Sequence, residues 1–83
     1  MRTYQQNETL PVETTVKLTT ELIKLDALLK VAAVADSGGQ AKHWIQQGLV
    51  SVNGERVIQR GKKIRPGDVV DVDVPPKTRI VVE

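Results

Sequence analysis

Between positions 42 and 65 the chain carries Lys42, Arg56, Arg60, Lys62, Lys63 and Arg65 against one acid, Glu55, a net charge of +5. The flanks do not share this bias. Residues 1–41 hold four bases and five acids, and residues 66–83 two bases and four acids. Ammonium and guanidinium groups at this density attract phosphates and carboxylates without breaking bonds themselves. A solvated basic loop would carry the same charges, so charge alone leaves the two readings level. Catalysis finds less support. His43 is the only histidine, cysteine is absent, and no nucleophile–base pair or carboxylate dyad stands out. The residues therefore point to no enzyme, no metal and no cofactor, and to an anionic partner, with RNA as the leading candidate.

These cations need elements to position them. Asn53-Gly54 is a strong short signal for a hairpin, because both residues accept the positive φ of a type I′ turn. A two-residue loop sets Val52 opposite Glu55, Ser51 opposite Arg56 and Val50 opposite Val57. Val50, Val52 and Val57 then face the core and Arg56 the outside. Upstream, Ser37 and Gln40 have capping-box spacing, so Ser37 should open a helix. On that helix Ala41, Trp44 and Ile45 share an apolar face, while Lys42, His43, Gln46 and Gln47 lie opposite. Gly48 sits where a left-handed cap ends such a helix. An earlier amphipathic helix of about three turns follows from Leu25, Leu28, Leu29 and Ala32, with Asp36-Ser37-Gly38-Gly39 breaking it.

Strands account for the remainder. Residues 13–19 alternate, with Val16 and Leu18 on one face; Val70, Val72 and Val74 alternate with Asp71 and Asp73; Ile80 and Val82 suggest a last strand. The two aspartates read as outward charges protecting an edge strand. Arg60-Gly61-Lys62-Lys63 reads as a basic loop, and Arg65-Pro66-Gly67-Asp68 as a type II turn. The expected fold is α+β, two short helices packed on a small, mostly antiparallel sheet. Residues 1–12 read as a disordered tail and 13–83 as a single domain.

Composition narrows the partner. Of 83 residues 40% are hydrophobic but only 2% aromatic, Trp44 and Tyr4 being the two. Aliphatic side chains must build the core, and aromatic platforms that stack single-stranded bases are almost excluded. The lack of cysteine suits a reducing compartment. No apolar run approaches a membrane span, and residues 1–8 lack the apolar stretch of a signal peptide, so a cytoplasmic protein is expected.

In this order, Lys24-Leu25-Asp26-x-x-Leu29, Ser37-x-x-Gln40-Ala41-Lys42-x-x-Ile45-x-x-Gly48-x-Val50-x-Val52-Asn53-Gly54 and Gly67-Asp68 resemble the RNA-binding domain named after ribosomal small-subunit protein four. The likeness covers roughly residues 22–74. It implies two helices followed by a hairpin, the so-called αL motif, which binds structured RNA along the second helix and the hairpin. With no room for a catalytic domain, the chain is similar to the small stand-alone bacterial members. It departs from most branches at Gly38, where an arginine follows the serine and supplies a phosphate contact.

The resemblance implies a non-enzymatic monomer docking on structured RNA, ribosomal or transfer RNA, or on the ribosome. Lys24, Lys42, Arg56, Lys62 and Lys63 would meet phosphates. Ser37, Gly39, Gln40 and His43 would allow close approach and polar contacts, and Asn53 at the hairpin tip can approach the RNA. Each has a plainer reading beside it. Lys24 and Lys42 could simply solubilise, Gln40 and Asp26 could only cap, Asn53 could only turn, and Arg60 could be solvated. Trp44 belongs to the core. A protein-interaction adaptor using the same surface, as in ribosome assembly or quality control, is the alternative function. A ubiquitin-like sulfur carrier would need a C-terminal Gly-Gly, whereas this chain ends Ile80-Val81-Val82-Glu83.

Overall fold

The structure, a computed structural model, describes residues 12–83. In chain order the elements are β1 (Val12–Val16), β2 (Ile23–Lys24), α1 (Leu25–Val31), α2 (Gly38–Gln46), β3 (Val50–Val52), β4 (Glu55–Arg56), β5 (Lys63–Ile64), β6 (Val69–Val72) and β7 (Thr78–Val82). Five strands form one sheet in the order β1-β7-β6-β3-β4; β2 and β5 form a separate antiparallel pair. Only β1 and β7 run parallel, so the sheet is mostly antiparallel and the fold is α+β as expected. The tail read over residues 1–12 lies outside the described residues, except that Val12 opens β1.

Aliphatic side chains build the core. Leu25, Leu28 and Leu29 of α1, Ala41 and Ile45 of α2, Ile64 of β5, and Val50, Val52, Val70, Val72, Ile80 and Val82 of the sheet are buried in one cluster. Trp44 is half-buried against it, a packing residue as read. The burial follows the sequence periods, every second residue in β6 and β7 and three-to-four spacing in α1.

Three features differ from the sequence reading, besides β6 ending at Val72, short of Val74. The first strand ends at Val16 rather than residue 19, although Leu18 still donates its N–H to the Glu83 carbonyl at 2.7 Å. Helix α1 has seven residues, nearer two turns than three. It stops because Ala33 takes a left-handed φ of +60°, upstream of the Asp36–Gly39 break. Gly38 and Gly39 instead form the first turn of α2. The third difference concerns Asp71, which is on no edge. Strand β6 lies between β7 and β3, and the Asp71 carboxylate accepts from Arg79 Nε on β7 at 2.8 Å. Asp73 lies just beyond β6 and pairs with Lys77 at 3.5 Å. Both acids neutralise neighbouring cations instead of guarding an edge.

Candidate nucleic-acid interface

At the start of α2, Ser37 Oγ accepts the Gln40 N–H at 3.1 Å, the predicted cap. The Gln40 carboxamide reaches one residue further back than a standard capping box, with Oε1 accepting the Asp36 N–H at 2.7 Å. Both side chains spend an acceptor on the helix and keep their donors, the Ser37 hydroxyl and the Gln40 NH2 group. The capping role is thus observed, and it leaves groups suited to an anionic ligand. Lys42 and His43 are exposed. A Cβ at Gly39 would make ordinary contact with Ser37 Oγ, 3.9 Å away. Beside Gly38 lies the Lys30 side chain of α1, with Cδ 4.0 Å from the position a Cβ would take.

Helix α2 ends in a Schellman motif. The Gly48 N–H donates to the Ile45 carbonyl and the Leu49 N–H to the Trp44 carbonyl, while Gly48 adopts φ +79°. The chain then enters β3, turns at Asn53 (φ +52°) and Gly54 (φ +87°), and returns in β4 in the predicted register. The Val57 N–H completes the hairpin by donating to the Val50 carbonyl at 3.0 Å. Arg56 is exposed on the outer side, and its stem runs back over Gly48: a Cβ on that glycine would stand 3.1 Å from Arg56 Cδ. Hairpin and helix end are in contact there.

The loop from residue 57 to 62 leads to β5, and its carbonyls cap α1. Lys24, the residue preceding α1, makes no side-chain cap. Instead the Leu25 N–H donates to the Lys62 carbonyl at 2.8 Å and the Asp26 N–H to the Arg60 carbonyl at 3.1 Å. These bonds satisfy helix N–H groups that would otherwise lack partners. Asp26 caps locally, its Oδ1 accepting the Ala27 N–H at 2.8 Å.

An open groove of about 480 Å³ lies between the hairpin and this loop, and Arg56, Lys62, Lys63 and Arg65 line it with Asn53, Glu55 and Asp68. Asp68 is already engaged. Its carboxylate accepts the Arg65 N–H at 2.8 Å and the Asn53 NH2 at 3.0 Å, and these bonds hold its pKa below the usual 3.8, aided by the nearby Lys62 and Arg65 charges. Four cations therefore face the groove against two carboxylates, one of them committed to the turns.

Of the residues singled out in the sequence, Asn53, Arg56, Lys62 and Lys63 meet in the groove. Lys24 does not line the groove but stands opposite Lys63, which does, across the β2–β5 pair. Ser37 caps α2, and Gly39, Gln40, Lys42 and His43 lie on it; none of the five lines the groove. Two cations beside these residues, Arg65 and Lys30, have no site reading in the sequence. Arg65 lies inside the same basic stretch, so charge counting held the signal, but its place before Pro66-Gly67 marked it as a turn residue. Lys30, on α1, had no such signal, since only the packing of α1 beside α2 brings it to Gly38.

Among the described residues, no helix is long and apolar enough to cross a membrane. Comparison with known sequences agrees with the architecture. A family profile described as "S4 domain" matches residues 16–82. A protein of Bacillus subtilis (strain 168), named "Probable ribosome maturation protein RlbA", is 41% identical over 58 residues, covering 70% of this chain and 82% of that protein. By the extent of both matches, and by the helix–helix–hairpin order just described, the chain belongs to the S4 domain family.

Proposed function

We propose that the chain is a non-enzymatic, monomeric module that binds structured ribosomal RNA in the cytoplasm and acts in ribosome maturation. The observation that carries this reading is the groove: Arg56, Lys62, Lys63 and Arg65 line it against two acids, Glu55 and Asp68, and Asp68 is bonded to Asn53 and to the Arg65 backbone. Exposed Lys42 and His43 on α2 extend the surface, and the spare donors of Ser37 and Gln40 suit phosphate or ribose oxygens. Ribosomal RNA is preferred to transfer RNA because the relative from Bacillus subtilis carries ribosome maturation in its name. The one aromatic among the described residues, Trp44, packs on the core and offers no stacking platform. Binding is then by charge and shape on a folded RNA, not by stacking of single-stranded bases.

Crosslinking in cells, followed by sequencing of the attached RNA, tests the proposal. Ribosomal RNA fragments concentrated at one site are expected, with affinity in vitro falling steeply as salt rises. Crosslinks dominated by transfer RNA would move the target. A salt-independent interaction with protein alone would replace the RNA reading with the adaptor.

A further inference from the structure

Strands β2 and β5 pair over two residues only, Ile23 with Ile64 and Lys24 with Lys63. Directly opposed residues of an antiparallel pair point to the same face, their Cβ atoms about 4.5–5.5 Å apart. Ile64 is buried and Ile23 half-buried on one face; Lys24 and Lys63 are both exposed on the other. Two ammonium stems thus rise side by side, and like charges so placed cost stability. Among the described residues neither lysine takes part in an ion pair, the pairs being Lys77–Asp73 and Arg79–Asp71. Nor can the pair relax by separating its strands, because the Lys62 and Arg60 carbonyls are bonded to the first N–H groups of α1.

We propose that Lys24 and Lys63 form a two-lysine clamp for a single backbone phosphate of the bound RNA. In this arrangement their mutual repulsion in the free protein is relieved by the anion between them. The proposal rests on the RNA reading and deepens it. Lys63 also lines the groove, so the clamp would fix the phosphate at the groove's β2 side. One phosphate between two opposed ammonium groups predicts shared, not separate, contributions.

The test uses the full chain and four variants: Lys24→Gln, Lys63→Gln, both together, and Lys17→Gln as an exposed lysine beyond β1. The probe is deproteinised ribosomal RNA, titrated over a range of KCl concentrations. Each clamp variant is expected to weaken binding by about three- to tenfold and to lower the salt slope by about one. The double variant should weaken it no further than the poorer single variant, with the slope again lower by about one. Lys17→Gln should bind as the wild type. Multiplying effects with a slope lowered by about two would mean two separate phosphates and overturn the clamp, as would wild-type binding by the variants.

Melting temperatures of the RNA-free proteins give a readout independent of binding. Either single clamp variant should melt above the wild type at low salt, with the gap closing as KCl screens the repulsion. An unchanged or lowered melting temperature at low salt overturns the strained pair. If the wild type binds no ribosomal RNA at any salt, the RNA reading and the clamp's ligand fall together. The melting comparison then still decides whether the two lysines repel.

Discussion

The Asn53 carboxamide donates to the Asp68 carboxylate at 3.0 Å, and through this contact the hairpin turn and the turn before β6 hold each other in place. Asn53 Oδ1 accepts the Val69 N–H at 2.9 Å, while the second Asp68 oxygen accepts the Arg65 N–H at 2.8 Å. Asn53 and Asp68, 15 positions apart, therefore join the Asn-Gly and Gly-Asp turns into one device. It sets the edge of the basic groove.

Replacing Asn53 separates its two duties. Asn53→Ala removes both side-chain hydrogen bonds and places a Cβ residue without them at φ +52°, for an expected loss of about 2 kcal/mol. Asn53→Gly removes the same bonds but accepts the positive φ, so it should cost less. Urea denaturation of the two variants measures the difference. Equal losses would mean that the backbone angle contributes nothing.

Asp68 gives this device a pH dependence. Its pKa is lowered first by the Arg65 backbone bond and then by the Asn53 side chain, with Lys62 and Arg65 charges adding. A carboxylate with a depressed folded-state pKa stabilises the protein above its ordinary value of 3.8; the contribution is lost as pH falls through the lower folded-state value. Thermal melts of the wild type and Asp68→Asn should therefore differ most near neutral pH and converge in acid below that window. A gap that stays constant into acid would place the effect of Asp68 elsewhere than in its charge.

The parts legible in the sequence were those whose cause is local. Asn53 and Gly54 gave the hairpin register because only certain residues tolerate two successive positive φ angles, and Ser37 and Gly48 marked both ends of α2 for similar reasons. Strands β2 and β5 were not legible. Two residues show no period, and what makes Ile23–Lys24 a strand is Lys63–Ile64, almost forty positions away. Lys24 was singled out from the family pattern and Lys63 from charge, but no spacing rule announced that they stand opposite one another. The early end of α1 was hidden for another reason, since the left-handed residue is an alanine.

That alanine predicts a stabilising change. Ala33 is exposed at φ +60°, a conformation in which its Cβ crowds the backbone. Its N–H donates to the Lys30 carbonyl at 3.0 Å, and the next two N–H groups converge on the Leu29 carbonyl, so the turn is fixed by bonds that do not involve the side chain. Ala33→Gly relieves the crowding but frees the unfolded chain, and the net gain should be about 0.5–1 kcal/mol. A higher urea midpoint with unchanged slope is the expected result; a lower midpoint would show that the methyl group earns its place in packing.

At Gly48 the same logic runs in reverse and carries a second, separable cost. The residue has φ +79°, so any side chain is strained, and a Cβ would also stand 3.1 Å from Arg56 Cδ. Gly48→Ala should lose about 1–2 kcal/mol from the backbone, with more from displacing the arginine stem. In an Arg56→Ala background the collision is gone and the strain remains, so the same substitution should cost less. Urea denaturation of the four proteins in this cycle gives the difference as the packing of Arg56 over the helix end. Strict additivity would mean that the arginine stem moves aside freely, and then its position beside the groove is not set by Gly48.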